Sequence, residues 1–334
     1  MEGLKRYLIR RALTFIPTIV GVLILTFVIS HVIPADPARL WAGGVKARPE
    51  VIELMKEKYH LNLPIHEQLA IYIKDVFTGN WRESPMTKRP VLVDLAEYFP
   101  ATAELAIVAG LIQIALGIPL GLLAALKRDT LLDHLIRVLA LVGVSAPAFW
   151  LAIALQWIFY YSLGLLPATG RGVLPSQSYT GLYILDSLIA GDWNALVINL
   201  RHIALPSLTL AFTGLGIIAR VVRNTTLDVL SSEFIDFAEA RGLSNSKFYR
   251  HVVKNSSIPI VTIAGLEFGM LLSGAIIVET VFSWPGIGLY AVNAINSLDY
   301  PAIMGSTLLI SLIFIVANFV VDIAYAIIDP RVRL

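Results

Sequence analysis

Six apolar runs, each long enough to cross a bilayer, constrain this chain more than any other feature of its sequence. A hydrocarbon core about 30 Å thick needs roughly 20 helical residues, because each residue advances a helix by about 1.5 Å. Charged residues make up only 15% of the 334 residues, against about 25% in soluble domains. The sequence therefore predicts an all-α polytopic membrane protein. The predicted spans are 13–33, 101–126, 138–166, 203–222, 258–282 and 302–328.

Basic residues mark one side of the predicted bundle. Arg10 and Arg11 precede the first span, and Arg128 follows the second, whereas the connection at 283–301 has no Lys or Arg. Short loops rich in Lys and Arg stay on the cytoplasmic side of a membrane. Both termini, including the segment 1–12, are therefore predicted to be cytoplasmic.

The long segment 34–100 is predicted to be a small extracytoplasmic helical segment between spans one and two. Apolar side chains from Leu69 to Phe77 recur at helical spacing, and Pro64 stands before them as a helix-start signal. Such a stripe either packs on the membrane bundle or docks a partner outside the cell, and the sequence leaves both open. The other five spans belong to residues 101–334.

Residues with catalytic or metal-binding potential are scarce. The chain has no Cys, which excludes disulfides and thiolate metal sites. It also lacks the glycine-rich loop ending in Gly-Lys-Ser/Thr that ATP hydrolysis requires. We predict no catalytic residue, no metal and no cofactor in this chain. Two alternatives remain, a secondary transporter and, more remotely, an intramembrane hydrolase built on Ser145.

The predicted cytoplasmic loop 231–257 carries the most informative pattern. Ser231 and Ser232 are good N-cap residues for a short helix, and Gly242 supplies a residue that can end it. The intervening residues include Phe234 and Phe237, more apolar surface than a link in water needs. The helix is expected either to insert into a partner or to lie on the lipid surface.

This loop resembles the EAA loop of ABC import permeases. The resemblance rests on Ala238-Glu239-Ala240, on Gly242 and on the Pro259 that leads into the fifth span. More narrowly, the chain resembles the first membrane subunit of the dipeptide and oligopeptide importers. The most specific run is Glu279 to Gly288 (ETVFSWPGIG), supported by residues 31–37 (HVIPADP). The family also imports nickel and oligosaccharides.

The resemblance implies an ABC type I importer permease fold in the plasma or inner membrane. It implies four kinds of partner: a related second permease, two ATPase subunits that hold ATP and Mg, an extracytoplasmic binding protein and membrane lipid. No nucleic acid is expected. The residues implied to couple this chain to the ATPases are Phe234, Ile235, Phe237, Ala238, Glu239, Ala240, Arg241, Gly242 and Leu243.

Four residues are candidates for a translocation path or gate. Glu267 lies near the middle of the fifth span, where a charge is costly, and it either lines a watery path or pairs with another helix. Glu279 lies near the outer end of the same span. Trp284 belongs to the turn-rich loop 283–288, which Phe282 precedes; the loop is either a gate of the kind the family has or an ordinary tight turn.

Overall fold

The computed structural model describes residues 2–32, 36–42, 44–233, 235, 237 and 245–328. Within these ranges the chain forms α-helices joined by short loops, with one isolated antiparallel bridge between Glu83 and Pro90. The first part of the chain has one long helix and three short ones. They are α1 (Glu2–Val32), α2 (Pro37–Trp41), α3 (Pro49–Lys58) and α4 (Ile65–Phe77).

The remaining helices form the bundle and its outer connections. Four of them exceed 25 residues, and the short ones lie between them along the chain. In chain order they are α5 (Val91–Leu126), α6 (Leu131–Ser145), α7 (Ala148–Leu155), α8 (Tyr183–Ala190), α9 (Trp193–Leu230), α10 (Asn245–Gly274), α11 (Ile276–Val281), α12 (Ile287–Asn296) and α13 (Tyr300–Ile328).

Three of the described helices are long and apolar enough to cross a bilayer without interruption. They are α5, α9 and the part of α13 from Tyr300 to Val321. The pair α6 and α7 is a fourth if the two are counted as one bent span, and shorter apolar stretches lie at Leu13–Val28 in α1 and Pro259–Leu271 in α10. The chain is therefore a multi-pass membrane protein.

The third predicted span, 138–166, is not one continuous helix. Its chain bends by 108° between α6 and α7. Pro147 explains the break, because proline lacks an N–H and disfavours helical geometry in the residue before it. Ala146 accordingly has extended backbone angles, φ −74° and ψ 128°. Beyond α7 the chain continues as a π-helix over Gln156–Ser162.

The helices α5 and α9 are longer than the apolar runs that predict them. The helix α5 begins at Val91, well before 101, and both Val91 and Leu95 are buried. The helix α9 covers Trp193–Leu230 rather than 203–222, and the Asp192 side chain caps its start by accepting a hydrogen bond from the Ala195 N–H at 3.0 Å. Capping and packing beyond the apolar runs therefore extend these helices.

The segment predicted to be extracytoplasmic packs on the bundle. Tyr72 in α4 stacks on Phe27 of α1, with ring centroids 5.9 Å apart. Trp41 in α2 donates a hydrogen bond from Nε1 to the Leu298 carbonyl at 2.9 Å. The apolar stripe of α4 thus covers the bundle, the first of the two alternatives, although Phe77 at its end remains 69% exposed.

The centre of the subunit is the crossing of α5 and α9. Glycines on α5 allow the close approach, as the GxxxG pair Gly117 and Gly121 indicates. A Cβ at Gly117 would lie 2.9 Å from Cγ2 of Ile218, and one at Gly121 would lie 2.6 Å from the Ala219 carbonyl oxygen. These backbones therefore touch, and the helices that carry the candidate site residues are arranged around them.

Candidate functional site

The predicted coupling segment begins where α9 ends. The Ser231 hydroxyl donates to the Asp228 carbonyl at 3.0 Å, and the Ile235 N–H donates to the Ser232 carbonyl at 2.8 Å. Ile235 is buried, whereas Phe237 exposes 60% of its surface. The sequence predicts an apolar surface here. Of that surface, the structure describes the exposed ring of Phe237 and the buried side chain of Ile235.

The other implied coupling residues lie outside the described part of the chain. These residues are Phe234, Ala238, Glu239, Ala240, Arg241, Gly242 and Leu243. The described chain resumes at Asn245, the first residue of α10. On α10, Val252 is buried and Tyr249 and Val253 are exposed. The role of the whole segment in coupling stays a prediction.

Glu267 lies inside the subunit, where α5, α9 and α10 meet. It is 7% exposed, and its Oε2 would lie 2.5 Å from a Cβ built on Gly214 of α9. The Gln113 amide nitrogen of α5 also lies against the Cβ built on Gly214. It donates a hydrogen bond to the Leu210 carbonyl at 3.3 Å. The position brings Glu267 close to the Gln113 amide of α5, and both alternatives, pairing with another helix and a role in the path, stay predictions.

Glu279 organises the predicted outer end of the bundle. Its side chain is fully buried, and Oε1 accepts a hydrogen bond from the Thr102 hydroxyl of α5 at 2.7 Å. Its Oε2 accepts from the Leu289 N–H at 3.1 Å, in the first turn of α12. Carboxylates are stabilised at helix N-termini by the exposed N–H groups and the helix dipole. Glu279 therefore holds the start of α12 against α5.

Phe282 and Trp284 are each 1% exposed, and the backbone around them is tied to two other parts of the chain. The Trp284 Nε1 donates to the Ala101 carbonyl at 2.8 Å, and the Gly170 N–H donates to the Phe282 carbonyl at 2.9 Å. The loop is thus more than an exposed turn, since these bonds attach it to α5 and to the connection that contains Gly170. Its function as a gate stays a prediction.

A second buried cluster ties the 167–192 connection to α5. The Arg171 guanidinium donates to Glu104 Oε2 from Nε at 3.0 Å and from Nη2 at 2.7 Å. The same guanidinium lies 3.8 Å from the ring centroid of Tyr183. Glu104 also accepts from the Ile184 N–H at 2.7 Å. No sequence pattern indicates Arg171 as the partner of Glu104, because 67 residues separate them.

Asp186 holds the neighbouring loop in shape from outside the membrane-spanning segments. It is fully buried and accepts hydrogen bonds from the Ser178 hydroxyl at 2.9 Å, from the Thr180 N–H at 3.0 Å and from the Gly181 N–H at 3.0 Å. Burial alone raises the pKa of a carboxyl, but these hydrogen bonds outweigh it and lower the pKa of Asp186. The loop therefore depends on an ionised carboxylate.

An ion pair joins α6 and α9 at the predicted cytoplasmic end. Arg223 donates to Asp133 Oδ1 from Nε at 2.7 Å and to Oδ2 from Nη2 at 2.8 Å. Such a two-point pair fixes orientation as well as distance. In the residues that the structure describes, no three His, Asp or Glu side chains converge as metal ligands. The described polar clusters therefore fasten helices to one another.

Two family models match the chain. The model described as "Binding-protein-dependent transport system inner membrane component" matches residues 117–334, and its N-terminal companion matches residues 4–106. Together they account for both halves of the sequence, including the long outer segment.

Curated relatives match over almost the full length. A probable D,D-dipeptide transport system permease protein of Escherichia coli is 43% identical, over 94% of this chain and 93% of its own. A dipeptide transport system permease protein of Alkalihalophilus pseudofirmus is 42% identical, over 98% of this chain and 99% of its own. Both names are those of transport permeases and not of enzymes.

A solved structure shares the fold. The inward-facing MetNI methionine ABC transporter aligns with a TM-score of 0.53 and 14% identity, over 72% of this chain and 99% of its own. At that identity the likeness concerns the arrangement of helices alone. Together with the two family models and the relatives, it shows that this chain belongs to the family of binding-protein-dependent transport system inner membrane components, the permease subunits of ABC importers.

Proposed function

We propose that this permease subunit imports dipeptides. The observation that carries the proposal is the 42–43% identity, along nearly the whole chain, to permeases named for dipeptides and for D,D-dipeptides. A wider solute range, with oligopeptides, oligosaccharides or nickel, was open on the sequence alone. The names favour a solute of two residues and leave its stereochemistry for experiment.

The chain is one of two paired permease subunits in the cell's plasma or inner membrane, and each subunit has six spans. Each subunit has cytoplasmic termini, and the second subunit is a related permease. The apolar stretches in α1 and α10 serve as spans one and five, and the bent pair α6 and α7 serves as span three. The concentration of Arg and Lys in the loops after Leu126 and after Leu230 supports this orientation.

Two ATPase subunits, which hold ATP and Mg, drive the pair, and an extracytoplasmic binding protein delivers the solute. The coupling segment from Phe234 to Leu243 transmits ATPase motion to α9 and α10, the two helices that it joins. The exposed ring of Phe237 supports a contact outside this chain. The Asp133–Arg223 pair supports transmission onward, because a rigid link between α6 and α9 makes them move together.

The outer cluster around Glu279 sets the geometry of the gate. Since Glu279, Phe282 and Trp284 fasten α5, α11 and α12 together, they move as one body when the bundle rocks. Glu267 lies deeper, at the crossing of three helices, where a change in helix packing would expose or cover its carboxylate. In this scheme the polar groups facing the solute change with the packing of α5, α9 and α10.

Uptake into proteoliposomes tests the proposal. The complete complex with its binding protein is supplied with ATP and with one labelled solute at a time: L-Ala-L-Ala, D-Ala-D-Ala, maltotriose or Ni²⁺. We expect ATP-dependent accumulation of at least one dipeptide and of neither maltotriose nor Ni²⁺. Accumulation of maltotriose or Ni²⁺ in place of both dipeptides would overturn the solute assignment. Equal uptake without ATPase subunits would favour a secondary transporter.

A further inference from the structure

A groove with one basic end lies between α6 and α9. Its volume is about 280 Å³. One part of its lining is apolar, with Ala140, Leu141 and Val144 from α6, and Leu141 is 63% exposed. The other part is formed by three guanidinium groups, those of Arg137, Arg220 and Arg223. The groove therefore has an apolar length and a cationic end.

The cationic end carries more positive charge than the protein neutralises. Asp133 makes a two-point ion pair with Arg223 and lies 3.4 Å from the Arg137 Nε, so one carboxylate serves two guanidinium groups. Arg220 is exposed and makes no ion pair with a carboxylate of the described residues. An excess of charge remains that an anion of outside origin can balance.

The floor of the groove is a rigid contact between backbones. A Cβ at Gly216 of α9 would collide with the Ala140 carbonyl oxygen, and one at Gly143 of α6 would lie 2.7 Å from the Phe212 carbonyl oxygen. Because both helices touch at glycines and are clamped by the Asp133–Arg223 pair, the groove is preformed. A ligand that enters it does not have to separate the helices.

We propose that this groove binds one anionic phospholipid, with its phosphate at Arg137 and Arg220 and an acyl chain along Ala140, Leu141 and Val144. Charge complementarity selects the headgroup, and the apolar length beside the cationic end selects a lipid over a free anion. Basic pockets between membrane helices on the cytoplasmic side are suited to such headgroups. The proposed orientation decides only which leaflet supplies the lipid, and in that orientation it is the cytoplasmic leaflet.

Native mass spectrometry of the complete complex tests the site. The complex is reconstituted in phosphatidylcholine nanodiscs with and without cardiolipin or phosphatidylglycerol. It is then released from the nanodiscs in the spectrometer, and its mass is measured together with the lipids that it retains. We expect the wild type to retain anionic lipid, and Arg137→Gln and Arg220→Gln to lower retention by about fivefold each. Arg220→Lys, which keeps the charge, should retain most of it.

Arg128→Gln is the matched control, because Arg128 lies on the same predicted side, outside the groove, and pairs with Asp129 at the surface. Equal loss in Arg128→Gln would indicate diffuse attraction to the membrane and overturn the site. Displacement by inorganic phosphate at millimolar concentration would assign the site to a free anion. A photoreactive residue at Leu141 should attach to lipid, and attachment to a protein subunit would show that a partner fills the groove.

Discussion

The Arg171 guanidinium and the Glu104 carboxylate of α5 form a buried ion pair, with two nitrogens at 3.0 and 2.7 Å from the same oxygen. The two side chains are 8% and 3% exposed. Removing either charge leaves the other buried without compensation, which is far more costly than losing a surface pair. The connection between the third span and α9 is therefore attached to α5 by this contact.

Arg171→Met should destabilise the complex, because an orphaned buried charge costs about 3–5 kcal/mol. The measurement is the midpoint of thermal unfolding of the purified complex, followed by tryptophan fluorescence. Arg128→Met is the control, since it removes the same charge from an exposed position. Equal midpoints for the two variants would contradict a structural role for the Arg171–Glu104 pair.

Gly121→Ala should weaken the crossing of α5 and α9. The added methyl group would lie 2.6 Å from the Ala219 carbonyl oxygen, and overpacking of this kind costs about 1–3 kcal/mol. Gly21→Ala in α1 is matched in chemistry, yet among the described residues no atom beyond its own stretch of helix lies within 4 Å of the new methyl group. The second variant should unfold at the same temperature as the wild type or higher, since Ala favours helix. A neutral Gly121→Ala would refute the close contact.

The loop at 178–186 should lose its order in acid. The pKa of Asp186 is lowered in the folded state, so its stabilisation is present above the ordinary Asp value of about 3.9 and disappears as the pH falls through the folded value. Hydrogen–deuterium exchange of the Thr180 and Gly181 amides, corrected for intrinsic rates, should therefore accelerate in acid. Asp186→Asn should show fast exchange already at pH about 7. Unchanged protection in both cases would contradict the carboxylate's role.

The proposed orientation is open to a direct test because the chain has no native Cys. Leu174→Cys, at a position 65% exposed in the outer connection, should react with a membrane-impermeant maleimide on intact cells. Arg128→Cys should react only after the membrane is permeabilised. Labelling of both positions on intact cells, or the reverse pattern, would contradict the predicted topology.

The sequence predicted those features that depend on local pattern. The apolar runs that became α5, α9 and α13 were visible, as was the helix after Pro64, because span length and helical spacing are properties of consecutive residues. The EAA pattern with Gly242 identified the family, which the comparisons confirm. The residues of that pattern remain predicted coupling residues.

Features that depend on tertiary contact were not predictable in the same way. The 108° bend at Pro147 falls inside a run apolar enough to look continuous. Glu279 stood out as a charge in a span, yet its hydrogen bond with Thr102 joins residues 177 apart in sequence. Arg171 and Glu104 lie 67 residues apart. A single sequence has no signal for such pairs, since their partners are set by how helices pack.

The central claim is that the segment from Phe234 to Leu243 couples this subunit to ATP hydrolysis in its partners. The most direct measurement compares dipeptide uptake with ATPase activity in the same proteoliposomes, which carry the complex with Gly242→Val. The control is Gly191→Val, a substitution at a glycine in the predicted outer connection with φ +66°. We expect the complex with Gly242→Val to assemble, but to import no dipeptide and to show no rise in ATPase rate when loaded binding protein is added. The complex with Gly191→Val should import dipeptide and should show that rise. Wild-type uptake by Gly242→Val, at equal amounts of assembled complex, would contradict it.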